Sequence, residues 1–489
     1  MRYCCGMKIL SPSLLVLGAI LNIAALFQLV PGVLSIVLVT GDERAFFLSA
    51  AISSGVGLTA MSIGHLHRTP HMVPRQMFLI TAIAWIALPI FGSLPFIFST
   101  QAIPFTDAVF EAVSGMTTTG STVLTHLDEM PKDLLLWRSL LQWFGGLGII
   151  GMAIAILPFL SVGGMKLFRT ESSDWSEKSL PRTQDLIKQM MFIYLGLTAA
   201  CATLYFAFGM DWFNAINHAL TTISTGGYST SDSSFAQFSS PVLHWICIVF
   251  MILGASPFYL YIRLIRHRNL ALFRDKQLGG MLAIMGILTL VLTLELYLRL
   301  GEGFWRIVTQ VAFNLVSVIT TTGFASDDYS LWGGFAVALF FFAMFIGGCS
   351  GSTSGGVKIF RVQLCFTIIH EQIARAIHPR AAMARTYNGV RVSDDILTSL
   401  VAFLFVMVIS LAVLTLLLAL TGLDLVTSLT SSATALMNVG PGLGSIVGPA
   451  GNFSSLSLVA KWLLCLGMIM GRLEFLTIIV LLSPSFWRR

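Results

Sequence analysis

Four times along this chain an apolar stretch of helix length runs into a short Thr/Ser/Gly segment centred on one glycine. The segments are Thr118-Thr119-Gly120-Ser121-Thr122, Thr225-Gly226-Gly227-Tyr228-Ser229, Thr321-Thr322-Gly323-Phe324-Ala325 and Asn438-Val439-Gly440-Pro441-Gly442. The central glycines lie 107, 96 and 117 residues apart, a spacing that fits four copies of one unit. One such segment alone is an ordinary helix C-cap. Four of them, each after a short helix with a polar start, need a common explanation.

The setting is a membrane. Charged residues make up 11% of the chain and apolar residues 56%, against roughly 25% charged in a soluble domain. Apolar stretches of about 20 residues recur, each long enough to cross a hydrocarbon core of about 30 Å as a helix. The seven cysteines are scattered without metal-ligand spacing and read as small buried side chains. Arg2 and Lys8 precede an apolar run from Ile9 to Val39 with no convincing small-residue cleavage site, which reads as a retained helix.

Basic residues cluster at Lys166, Arg169, Lys178, Arg182 and Lys188, at Arg263, Arg266, Arg268, Arg274 and Lys276, and from Lys358 to Arg391. The His65 to Arg75 loop and Arg488-Arg489 join them, whereas Asp128, Glu129, Asp133, Asp232, Asp327 and Asp328 flank the glycine segments. By the positive-inside rule the basic loops are cytoplasmic and the glycine segments face outward. The net charge of +6 therefore reports topology and leaves no call for nucleic acid as a partner.

The expected architecture is an all-α polytopic membrane protein with four pseudo-symmetric helix–pore-loop–helix repeats around one central pore, plus an N-terminal two-helix hairpin. The hairpin takes residues 1–75, with helices near 9–39 and 45–64. The units take 76–188, 189–277, 278–395 and 396–489. Their first spans fall near 76–98, 189–209, 278–300 and 396–420, and their second near 136–160, 241–262, 332–361 and 456–482. Ten crossings put both termini in the cytoplasm. Aligned on the glycines, Asp107, Asn214, Gln310 and Thr427 stand thirteen residues upstream, the first two as good helix N-caps. Ser114, Thr221, Ser317 and Thr434 stand six upstream, a small hydroxyl each time.

Irregular backbone survives at membrane depth only where it is buried in protein or lines a wet cavity. Glycine tolerates positive φ and lets consecutive carbonyls turn toward one axis, where they replace an ion's hydration shell. Helix C-termini aimed at that axis favour a cation. The candidate ligands are Thr118, Thr119, Gly120, Thr225, Gly226, Gly227, Thr321, Thr322, Gly323, Asn438, Val439 and Gly440, with threonine hydroxyls adding ligands or bracing the loops. No Asp or Glu lies within the four segments, which argues against a divalent-cation ring.

A second feature interrupts the last span of the third unit: Gly347, Gly348, Cys349, Ser350, Gly351, Ser352, Thr353, Ser354, Gly355 and Gly356 in succession. Each glycine costs about 1 kcal/mol of helix stability relative to alanine. The segment reads as a broken helix whose middle lies beneath the ring, across the ion path; close small-residue helix packing is the alternative. Arg472 and Glu474 interrupt the last span of all. Arg472 is either an electrostatic barrier or a latch to the glycine loop, or else a partner in a local ion pair or a snorkelling side chain. Lys358 reads as an interfacial snorkelling residue, and Trp143 and Trp462 as packing or interface residues. Gly348-Cys349-Ser350-Gly351 also matches the G-x-S-G of intramembrane serine proteases, but none of His218, His244 and His370 is well placed as its base.

SGMTTTGST at 114–122, LQWFGGLGI at 141–149, FIGGCSGSTSGGVK at 345–358, NVGPGLG at 438–444 and GRLEFLT at 471–477 together resemble the Trk-type potassium-uptake membrane subunits, the TrkH/TrkG family of the Trk/Ktr/HKT superfamily. The resemblance covers nearly the whole chain. It implies a multi-pass protein of the bacterial inner membrane that is not an enzyme and carries K+ as its transported ion. It implies filter glycines at Gly120, Gly227, Gly323 and Gly440. It implies gating by Gly347, Gly348, Gly351, Ser352, Thr353, Gly355, Gly356, Lys358 and Arg472. It further implies a homodimer and a cytoplasmic ring of nucleotide-binding, Rossmann, TrkA-like subunits, this chain itself binding no nucleotide. Sodium-selective relatives carry serine at the first filter position, so a sodium or mixed-cation permease is the alternative. Gly226 and Ser354 depart from the family pattern.

Overall fold

The computed structural model describes residues 2–66, 74–155, 180–267, 274–301, 303–378, 385–388 and 390–487. Lys166, Arg169, Lys178, Arg268, Arg380, Arg488 and Arg489, all used above to orient the chain, lie outside them.

The described chain is helical apart from a short antiparallel pairing of Thr386–Tyr387 with Val390–Arg391. Its burial pattern is inverted relative to a soluble protein. Val401, Phe405 and Val408 of the helix Asp394–Ala419 are exposed, while Ser428, Thr430, Ser431, Ser432 and Thr434 of Leu425–Met437 are buried. An apolar outer surface, over an interior that buries both apolar side chains and the hydroxyls of the short helices, suits lipid as the solvent.

The N-terminal hairpin pairs Arg2–Leu38 with Glu43–Leu66 across a turn at Val39 and Gly41, both at positive φ. Glycines let these helices touch: a Cβ on Gly18 or on Gly64 would fall less than 3.0 Å from backbone atoms of the facing helix. The Ser11 hydroxyl donates to the Gly64 carbonyl at 2.9 Å. Such close approach through small residues is the usual means of helix association in lipid.

Among the described residues seven helices are long and apolar enough to cross a membrane, or eight if one bent pair counts as a single span. Ten were expected, and the difference lies in the second spans. Only that of the first unit, Lys132–Ala155, runs unbroken through the described residues. The second unit's is bent by 93° between Pro241–Gly254 and the helix that starts at Phe258. Pro257 sits in that break and supplies neither an N–H nor room for the preceding turn. The third unit's is split into Gly334–Ala343 and Ile359–Ile377 around the glycine loop. The fourth unit's breaks between Leu458–Arg472 and Leu476–Leu482, with Glu474 at positive φ. Three of the four second spans are therefore interrupted, not one.

Four short helices precede the glycine segments: Phe105–Met116, Trp212–Ile223, Phe304–Ile319 and Leu425–Met437. At 12 to 16 residues they reach only part of the way across a bilayer. Asp107 and Asn214 are not their caps; both lie in the first turn. The capping positions hold Pro104, Asp211, Gly303 and Asp424, and only the two aspartates accept from backbone N–H groups. Asp133, expected in an outer loop, instead lies buried in Lys132–Ala155 and accepts from the Thr40 hydroxyl at 2.7 Å.

Candidate functional site

The four glycine segments adopt one backbone conformation. Thr118 and Gly120, Thr225 and Gly227, Thr321 and Gly323, and Asn438 and Gly440 all have positive φ, at the same two places in each segment. Left-handed backbone at a non-glycine residue costs about 1–3 kcal/mol and persists only where surroundings over-determine it. The residue between each pair donates its N–H back to the backbone carbonyl of the residue six before the glycine. The four bonds are Thr119 to Ser114, Gly226 to Thr221, Thr322 to Ser317 and Val439 to Thr434, at 2.8–3.1 Å. That bond fixes the first turn after each helix. Two hydroxyls add to it: Ser317 donates to the Phe324 carbonyl, and Thr434 accepts from the Gly440 N–H.

The segments also close on one another in chain order. A Cβ on Gly120 would fall less than 3.0 Å from the Gly226 carbonyl oxygen, and one on Gly227 as close to that of Thr322. Gly323 stands in that relation to Val439, and Gly440 to Thr119. Each glycine thus abuts the carbonyl of the next segment, and the fourth returns to the first. Any side chain at these four positions would collide with a neighbour's backbone.

The carbonyls themselves are left open. Among the described residues those of Thr118, Thr119, Gly120, Thr225, Gly227, Thr321, Thr322, Gly323, Asn438 and Val439 accept no hydrogen bond from protein. Yet Thr119, Thr322 and Val439 are entirely buried. Buried backbone carbonyls are almost always paired, which sets these segments apart from ordinary helix ends. Among the described residues no group of three His, Cys, Asp or Glu could hold a metal.

The threonine hydroxyls brace. Thr119 meets Thr117 at 2.7 Å, Thr322 meets Thr320 at 2.8 Å, and the Asn438 amide donates to Thr119 at 2.9 Å. Thr225 and Thr321 reach down to the glycine loop. Thr225 donates to Thr353 at 3.1 Å, and Thr321 accepts from the Gly355 N–H at 2.6 Å. The Thr118 hydroxyl is buried without a partner.

The glycine loop is held against the underside of this ring by three units. Its ends meet where Gly347 donates to Val357 and Val357 donates to Phe345. Cys349 and Thr353 donate to Ala255 and Gly254 at the break in the second unit, and Gly351 accepts from Phe258. Gly356 donates to Met437, the last residue of the fourth short helix. Ser352 turns onto Cys349 within the loop. Glycine is needed here for contact: a Cβ on Gly347, Gly348, Gly355 or Gly356 would fall less than 3.0 Å from a neighbouring atom. A cavity of about 40 Å³ lies beside the loop, with Ser354, Lys358, Leu436 and Arg472 in its lining.

Arg472 is buried and bonded to this loop: it donates to the Thr353 carbonyl at 3.0 Å and toward that of Gly145 at 3.5 Å. Glu474 is not its partner but pairs with Arg361. Lys358 does not snorkel outward; its ammonium folds back onto the Ser354 carbonyl. Trp143 is buried among Phe27, Phe144 and Tyr194 and donates to Thr198, whereas Trp462 is half exposed beside Phe105. Outside the spans, the Thr427 hydroxyl and N–H hold the Asp424 carboxyl below the usual carboxylate range.

Residue patterns alone missed a fully buried pair behind the first two segments, Arg138 and Glu111, 2.8 Å apart. They also missed Gln142, whose amide donates to the Gly226 carbonyl at 2.5 Å. The protease-like Ser350 gains no base: His218 engages Asn214 and Ser229, and His244 engages Ser240.

The family model described as TrkH, cation transport protein, matches residues 44–300 and 304–489. The chain is 47% identical over 483 residues to the Trk system potassium uptake protein TrkI of Halomonas elongata, covering 98% of this chain and 97% of that one. It is 36% identical over 466 residues to TrkH of Escherichia coli, covering 94% and 96%. The crystal structure of the potassium transporter TrkH from Vibrio parahaemolyticus superposes with a TM-score of 0.89 at 32% identity, covering all of both chains. These relatives are transporters and not enzymes, and the chain is a multi-pass, all-α membrane protein that belongs to the TrkH cation transport family.

Proposed function

We propose that this chain carries potassium ions into the cell through a passage ringed by the four glycine segments. The observation that carries the reading is the cycle of glycine-to-carbonyl contacts, in which three of the four carbonyls, those of Thr119, Thr322 and Val439, accept no hydrogen bond from the described residues. Neutral oxygens in a closed ring dehydrate a monovalent cation without the carboxylates a divalent ion prefers. Four quasi-equivalent units, with the boundaries given above, supply one segment each. The names of the relatives, all potassium uptake proteins or transporters, support potassium as the ion.

In this reading the loop 347–356 is the gate and Arg472 its latch. The support is that three units and one buried cation hold the loop beneath the ring. The acidic segments at Asp128 and Asp232 touch one another on the face where the short helices begin. That face is outward, both termini are cytoplasmic, and the bacterial inner membrane is the compartment. A homodimer regulated by a cytoplasmic nucleotide-binding ring completes the assembly. The test is complementation: expression in a strain lacking its potassium uptake systems restores growth at low potassium and drives rubidium uptake. Uptake of sodium but not rubidium would overturn the reading.

A further inference from the structure

The helix Lys132–Ala155 presents Arg138 and Gln142, one turn apart, to the segment around Gly227. Gln142 is entirely buried. Its amide nitrogen donates to the Gly226 carbonyl at 2.5 Å, and its amide oxygen accepts from the Tyr228 N–H at 2.9 Å. One turn earlier Arg138, buried against Glu111, donates to the Ser229 carbonyl at 2.9 Å and lies 4.2 Å from the Tyr228 ring centroid. The second segment is thus gripped on both sides of Gly227, at 226 and at 228–229.

This grip breaks the fourfold likeness at one atom. The carbonyls that abut the neighbouring glycines belong to Thr119, Gly226, Thr322 and Val439. Among the described residues only that of Gly226 accepts a side-chain hydrogen bond. The second glycine at 226 has the same cause, since a Cβ there would fall less than 3.0 Å from the Gln142 amide. Thr119, Thr322 and Val439 have side chains because no such amide stands behind them.

We infer that Gln142 is a specificity-determining positioning residue, which fixes the Gly226 carbonyl and shares its lone pairs with the passing ion. The inference rests on the ring being the ion passage. With the amide removed, the Gly226 carbonyl is free to move and the ring loses its fixed width on that side. Discrimination by size falls while the protein remains folded.

The experiment is cation influx into proteoliposomes holding the full-length protein, with potassium, rubidium and sodium compared. Gln142→Leu keeps the volume and loses both hydrogen bonds. Its potassium-to-sodium ratio is expected to fall about fivefold or more at wild-type protein level. Gly226→Ala is expected to depress potassium flux through collision with Gln142, and Gly226→Ala/Gln142→Ala to regain it. An unchanged ratio in Gln142→Leu from a selective wild type overturns the role of Gln142 alone. A wild type without potassium preference overturns the ion-passage reading and this inference with it. If Gln142→Leu does not accumulate in the membrane, the alanine pair decides: regained flux with a lowered potassium-to-sodium ratio supports the inference, and no regain, or regain at the wild-type ratio, overturns it.

Discussion

Arg472 donates to the carbonyl of Thr353 at 3.0 Å, joining the last unit to the glycine loop of the third. Both groups are buried, and among the described residues no carboxylate pairs with this guanidinium. A hydrogen bond from a charged donor is worth about 1.5–3 kcal/mol. Its loss shifts an equilibrium between closed and open loop about 10–100-fold. Arg472→Ala is therefore expected to raise basal rubidium flux at least tenfold in proteoliposomes without any partner subunit. Flux at the wild-type level would show that the latch does not hold the gate.

Shortening the loop tests the same barrier independently. Removal of residues 350–353 takes away the contacts at Gly254 and Phe258 and the acceptor of Arg472. Leak is expected to rise several-fold in rubidium uptake assays. A leak unchanged from wild type means that the main barrier lies elsewhere.

Gly120 stands at positive φ with the Gly226 carbonyl where a Cβ would go. Serine there must strain the backbone by about 1–3 kcal/mol or push the neighbouring segment aside. Gly120→Ser is expected to lower the potassium-to-sodium uptake ratio at least tenfold. An unaltered ratio removes Gly120 from the selective ring.

The fourth short helix depends on its Asp424 cap, which accepts from the Thr427 N–H at 3.1 Å. Asp424→Ala is expected to cost about 1 kcal/mol, read as a lower Tm in detergent. The carboxyl is held below its ordinary value. The cap's contribution is therefore complete above about pH 4. It is lost as pH falls through the lower, folded value. Equal Tm for the two proteins at neutral pH would contradict the capping role.

Recurrence makes the four glycine segments legible in the sequence. Glycine at one place in four segments corresponds to a shared φ pattern, whereas the small hydroxyl six residues earlier makes no bond common to the four. The glycine loop was legible because so many glycines and hydroxyls cannot face lipid. The bend at Pro257 had a signal, a proline inside an apolar run, but mean apolarity hid it. The break near Glu474 had a weaker one. Arg138 and Glu111 stand 27 residues apart on different helices, and no periodicity pairs them. Gln142 lies within an apolar helix and shows its role only when the Gly226 carbonyl is seen against it.

The ring of glycine-segment carbonyls bears most directly on function, and anomalous scattering from crystals grown with rubidium in place of potassium tests it. The account predicts a rubidium peak enclosed by the carbonyl oxygens of Thr119, Gly226, Thr322 and Val439. Rubidium bound only elsewhere along the chain, in protein that still transports it, would contradict that claim.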